Sequence, residues 1–161
     1  MSPQHLHTIL VLGGYGFFGA RICKALASGP NVRIIIGGRD LAQAQEAAAA
    51  LGLGAEQGVA IDARASNLAQ RFAELKIKTV IHAAGPFQGQ DYAVARAAIA
   101  AEANYIDLAD SRDFVVGIEQ LDAQARHRGV LVTSGASSLP ALSSAVVDRY
   151  LPRFSQLRSI A

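Results

Sequence analysis

Short apolar runs alternate with longer stretches of helical periodicity from one end of the chain to the other. Thr8-Ile9-Leu10-Val11-Leu12 is continuous and rich in β-branched residues, as expected of a strand buried on both faces of a parallel sheet. A glycine-rich turn follows, and Phe18, Ile22 and Leu26 then recur at four-residue spacing, one face of a helix that Gly29-Pro30 ends. The second run is Val32–Ile36, after which Asp40 is placed to cap an Ala-, Gln- and Glu-rich helix reaching Leu51. Further strands are expected at Val59–Ile61, Thr79–Ile81, Tyr105–Leu108 and Val130–Val132. Helices are expected over Ser66–Leu75, Asp91–Ala103 and Leu139–Leu151, with one long helix over Ser111–Arg128. Six strand–helix alternations predict an α/β fold: a three-layer, doubly wound parallel sheet of the Rossmann dinucleotide-binding type.

Composition changes this picture little. The chain of 161 residues fits one domain, which we expect over residues 1–151. Residues 152–161 then open a following domain: the strand-like run Gln156–Ala161 stops midway, as in a truncated chain. A net charge of +2 with scattered basic residues argues against nucleic acid as a partner. No apolar run approaches the roughly 20 residues of a membrane span. Met1–His7 has no secretory pattern, and the single cysteine, Cys23, permits no internal disulfide. These features point to a cytoplasmic, reducing setting. A homodimer is left open by the sequence.

Gly14-Tyr15-Gly16-Phe17-Phe18-Gly19 matches G-x-G-x-x-G between a strand and a helix, the context that gives this pattern its meaning. Gly14 is expected to make the tight turn, Gly16 to admit a pyrophosphate, and Gly19 to let helix and strand pack closely. The N–H groups of Phe17 and Phe18 would face the phosphates. Gly13 adds a G-x-x-G-x-x-G spacing with Gly16 and Gly19, so the turn alone does not separate two families of dehydrogenase.

The second strand ends Gly37-Gly38-Arg39-Asp40. An NAD site usually carries an acid here, which holds the ribose 2′-OH and repels a 2′-phosphate. Arg39 stands in that place with glycines leaving room, and a guanidinium fork suits phosphate. The pattern favours NADP over NAD, the alternative being that Asp40 takes the ribose while Arg39 is solvated. Asp62 is a candidate for the adenine amino group or for a plain loop cap. Ala83-Ala84-Gly85-Pro86 would let the cofactor lie against the backbone. Asp107 and Asp110 stand where open α/β sheets bind ligands and could orient a substrate amine or cap the next helix. His82 could donate or accept a proton, although a His at the end of a buried strand is more often a hydrogen-bonded core residue. His5 and His7 lack a third ligand, so no metal is expected. No Lys lies four residues after a Tyr, so the catalytic pair of short-chain dehydrogenases is absent.

Val80-Ile81-His82-Ala83-Ala84-Gly85-Pro86-Phe87 and Asn104-Tyr105-Ile106-Asp107-Leu108-Ala109-Asp110 resemble two stretches of saccharopine dehydrogenase-like proteins, in the same order and spacing. The resemblance implies an N-terminal NADP-binding Rossmann domain. At full length it implies an NADP-dependent oxidoreductase acting on an amino-acid-derived or related small substrate, with this segment inactive alone. His82 stands where the family often has Asn, and Ala109-Asp110 replaces Gly-Glu. The alternatives carried beside it are a redox sensor that binds NADP(H) without catalysis, akin to the regulatory relatives of short-chain dehydrogenases, and an interaction domain with an empty pocket.

Overall fold

In the computed structural model, which describes residues 6–156 and 159, strand β1 (His7–Leu12) is central. It is flanked by β2 (Val32–Gly38) on one side and β4 (Thr79–His82) on the other. With β3 (Gly58–Ala60), β5 (Asn104–Asp107) and β6 (Val132–Thr133), all six strands form one parallel sheet in the order β3-β2-β1-β4-β5-β6. Winding runs outward one way from β1 to β3 and then reverses at β4. At that reversal, between the carboxyl ends of β1 and β4, the connections part and leave a crevice.

The run of β1 explains why the sheet is covered on both faces. Ile9 and Val11 point to one side, where they pack with Cys23, Ile34, Ile36, Ala44 and Ala48 under α1 (Phe17–Leu26) and α2 (Leu41–Ala50). Leu10 and Leu12 point to the other side and join Ile35, Phe72, Val80, Ala98, Tyr105 and Leu121. There α3 (Leu68–Glu74), α4 (Ala93–Ala100) and α6 (Asp122–Arg128) cover the sheet. Each large apolar side chain buried this way stabilises the fold by about 1.5–3 kcal/mol relative to exposure.

Two departures from the sequence pattern have local causes. The long helix expected over Ser111–Arg128 is α5 (Arg112–Gly117), a 3-10 turn (Ile118–Leu121) and then α6. The break falls at Gly117, whose missing side chain gives room to the Tyr92 hydroxyl as it donates to the Phe114 carbonyl at 2.9 Å. Strand β3 stops at Ala60, so Asp62 lies beyond the strand rather than at its end, although Ile61 N–H adds a rung to the Gly38 carbonyl at 2.8 Å. Left-handed Gly129 (φ 65°) ends α6.

The last helix, α7 (Ser138–Tyr150), leaves Leu142, Val146 and Tyr150 exposed. Part of the run expected to open a following domain, residues 157, 158, 160 and 161, lies outside the described residues, as do His5 and the other first residues of the chain. No described helix is long and apolar enough to cross a membrane, and no group of three metal-ligating side chains occurs among the described residues.

Candidate functional site

The turn after β1 is anchored to β2 by two donors: Gly13 N–H and Gly14 N–H both reach the Gly37 carbonyl, at 2.8 and 3.1 Å. Within this turn Gly13 takes the left-handed conformation (φ 83°). Gly14 is needed for a different reason, because a Cβ there would come within 2.8 Å of the Val11 carbonyl and 2.9 Å of Ile36. Gly19 packs its Cα against the Gly13 carbonyl, which leaves no room for a side chain. Gly16 caps α1 without a side chain, and its N–H donates to the Gly13 carbonyl at 2.9 Å.

This geometry would let the first turn of α1 hold an anion. Phe17 and Phe18 occupy its first two positions, where N–H groups have no acceptor within the helix. Their side chains stand out in solvent, edge to face at 5.1 Å, and Arg21 folds over Phe17 while donating to its carbonyl at 2.7 Å.

At the end of β2 the Tyr15 ring lies directly on Gly38, in the space a side chain would fill, and its hydroxyl accepts from Asp40 N–H at 3.1 Å. Asp40 is occupied as the α2 cap. One carboxylate oxygen accepts from Gln43 N–H at 3.1 Å and the other from the Gln43 amide at 2.9 Å. These bonds, that of the Gln43 side chain foremost, hold its pKa below the usual carboxylate value. Arg39 is exposed, with no hydrogen bond or ion pair among the described residues. Asp62 accepts from Arg64 N–H at 3.0 Å, as a loop carboxylate that fixes its own turn.

Opposite lies the segment after β4. Ala83 N–H continues the ladder to the Leu12 carbonyl at 2.8 Å, and the Gly85–Pro86 bond is cis. The Gln90 side chain staples this loop by donating to the carbonyls of Ala84 and Pro86.

Together these segments border one cleft of about 850 Å³. Of the expected cofactor residues, Gly13, Tyr15, Gly16, Gly38, Arg39, Asp62, Ala83, Ala84, Gly85 and Pro86 line it. Gly14, Phe17 and Phe18, also expected at the cofactor, are not among its lining residues. Asp107 and Asp110 are not among its walls. Asp110 is exposed at the end of β5, with Gln88, a cleft residue, 3.4 Å away.

Asp107 is fully buried, and one oxygen accepts from three donors: Ala109 N–H at 3.0 Å, the Ser134 hydroxyl at 2.9 Å and Gly135 N–H at 2.9 Å. It therefore clamps the loops after β5 and β6 to each other. Its second oxygen is buried without a hydrogen-bond partner among the described residues, as is Nε2 of His82, the residue facing it across the β4–β5 pairing. His82 Nδ1 lies 3.0 Å from the Tyr105 hydroxyl. Burial pushes the His82 pKa down to about 4 against the opposing pull of Asp107, and burial, with the Asp107 carboxylate nearby, pushes Tyr105 up. His82 is a neutral core residue, which was one of its two readings.

Three contributors escaped the sequence reading. Arg64 lines the cleft, Gln90 braces its wall and Tyr105 joins the buried network. Only Arg64 left a signal: a cation two residues after an acid that follows a strand.

Solved structures share the fold. Apo saccharopine dehydrogenase (L-Glu forming) from Saccharomyces cerevisiae superposes with a TM-score of 0.71 at 19% identity, over 91% of this chain and 32% of that one. Biliverdin reductase from Synechocystis sp. PCC 6803, in complex with biliverdin and NADP+, gives 0.61 at 16% identity, over 94% of this chain and 44% of that one. An inositol dehydrogenase homologue from Azotobacter vinelandii, complexed with NAD+, gives 0.55 at 18% identity, over 90% of this chain and 39% of that one. The chain thus spans about a third of the length of the yeast enzyme. No curated protein matches its sequence. The saccharopine dehydrogenase NADP binding domain family matches residues 9–147, nearly the whole Rossmann unit whose cleft has been described, and the chain belongs to that family.

Proposed function

We propose that the cleft binds NADP(H) in preference to NAD(H). The observation that carries this reading is the division of labour at the end of β2: Asp40 is spent on capping α2, while the Arg39 guanidinium is unpaired beside Gly38. A carboxylate free to take the ribose hydroxyls would favour NAD; a free fork of donors favours a 2′-phosphate. The pyrophosphate would rest on the first turn of α1, over Gly16, and the nicotinamide half would lie along Ala83–Pro86, where small residues keep the wall flat. Neighbours in this fold hold either NADP+ or NAD+, so the choice falls to these rim residues.

The bound nucleotide would supply hydride chemistry; the chain's own part is to hold and orient it. In the whole protein the partner would be an amino-acid-derived or related small molecule, acting in the cytoplasm. The following domain would provide most substrate contacts, with Asp110 at the rim and Asp107 setting the loops beneath. Calorimetric titration with NADPH, NADP+ and NADH at fixed ionic strength tests the reading. Tighter binding of NADPH than NADH, with the difference removed in Arg39→Ala, is expected. Equal affinities would return the ribose to an acid, and no binding would overturn the nucleotide site.

A further inference from the structure

Arg39 has a companion. β2 and β3 end side by side, with Gly38 opposite Ala60 and the Ile61 N–H bonded to the Gly38 carbonyl. The chain leaving β3 then makes a tight turn. Ala65 N–H returns to the Asp62 carbonyl at 3.0 Å, and the Asp62 side chain accepts from Arg64 N–H at 3.0 Å. Arg64 therefore sits at a central position of a turn whose backbone is held from both sides. Its side chain borders the same cleft as Arg39.

Both guanidinium groups are exposed, and neither has an ion pair or side-chain hydrogen bond among the described residues. The nearby acids form no ion pair with them among the described residues: both oxygens of Asp40 turn to Gln43, and one oxygen of Asp62 is held by the Arg64 backbone. Two guanidinium groups without ion-pair partners among the described residues thus border one cleft, from the β2 and β3 sides. A group with two negative charges placed between them would receive a fork of donors from each side.

We propose that Arg64 is a second specificity-determining residue, which closes on the adenosine 2′-phosphate from the β3 side while Arg39 holds it from the β2 side. The inference rests on the dinucleotide reading above and adds a residue to it. The adenosine halves of the two cofactors isolate the contact: adenosine 2′,5′-bisphosphate carries the 2′-phosphate and adenosine 5′-monophosphate does not.

The test is titration of the wild-type chain, Arg64→Ala, Arg64→Lys and Arg39→Ala with both adenosine probes, NADPH and NADH. Arg64→Ala is expected to weaken NADPH and the bisphosphate about tenfold, the effect of one charge-assisted hydrogen bond. NADH and the monophosphate should bind as before. Arg64→Lys, a point charge without the fork, should recover part of the loss. A uniform loss over all four ligands would overturn the proposal by assigning Arg64 to the adenine ring. Unchanged NADPH binding in Arg64→Ala, with preference still lost in Arg39→Ala, would overturn it while leaving the cofactor reading intact. Failure of the wild type to bind any probe would overturn both. Arg64 is exposed, so an unchanged melting temperature verifies that the variant folds.

Discussion

Gly13 and Ala84 meet backbone to backbone: a Cβ on Gly13 would stand 2.9 Å from the Ala84 nitrogen and 3.0 Å from the Ala83 carbonyl carbon. The turn after β1 and the wall after β4 are thus one fitted surface. Gly13→Ala would face this contact and a left-handed backbone (φ 83°) at once. The backbone alone costs about 1–2 kcal/mol, and the contact adds to it. The expected outcome is a clearly lower melting temperature with loss of nucleotide binding. Retention of both would show that the two walls separate freely.

His82 makes stability depend on pH. Its pKa in the fold is about 4, against 6.5 when exposed, because burial disfavours the charged ring. Between those values the unfolded chain takes up a proton that the folded chain refuses, so stability falls as pH drops from about 6.5 towards 4. The loss across that window is about 3 kcal/mol. His82→Asn, which keeps a polar group near the Tyr105 hydroxyl and cannot titrate, should flatten the dependence. Urea denaturation at several pH values measures it; identical slopes in the two proteins would refute the assignment.

Asp107 is a clamp. Asp107→Ala leaves the N–H groups of Ala109 and Gly135 and the Ser134 hydroxyl without their acceptor, at a cost of about 3 kcal/mol or more. Asp107→Asn keeps an oxygen for the same donors and should cost roughly 1 kcal/mol. Chemical denaturation of the pair distinguishes this role from one in which only the charge matters, where the two variants would be equally damaged.

Cys23 is sealed beneath the turn, its thiol 3.6 Å from the Gly14 carbonyl, and burial pushes its pKa up to about 11. Reaction with a thiol reagent should therefore wait on local opening of α1 from the sheet. Adding NADPH should slow it further, since the nucleotide would bridge α1 and the β4 wall. Labelling as fast as that of an exposed thiol would contradict the packing.

Much of this was legible in the residues. The continuous apolar runs disclosed a sheet covered on both faces, and the glycine motif located the turn that opens α1. Arg39 marked the rim, and Asp40 was rightly placed as a cap. What the sequence hid depends on who stands beside whom. The pattern does not show that Gly13 is left-handed and lies against Ala84 while Gly14 lies against the Val11 carbonyl and Ile36. The break at Gly117 answers to Tyr92, distant along the chain. His82 and Asp107 face each other only once the order of β4 and β5 is known. Arg64 comes to the cleft only once β3 is laid against β2.

The two ends of the cleft are built from different materials. Where the pyrophosphate is proposed to rest the frame is main chain, with Gly13, Gly14, Gly16 and Gly19 packed closely against neighbouring backbone. At the proposed adenosine end it is a rim carried by Arg39 and Arg64, exposed side chains that hold up nothing else among the described residues. Substitution in the first region reshapes the protein, whereas substitution in the second only redecorates it. On the proposed reading, coenzyme choice would be rewritten here almost independently of folding, as a change of two letters on a fixed frame.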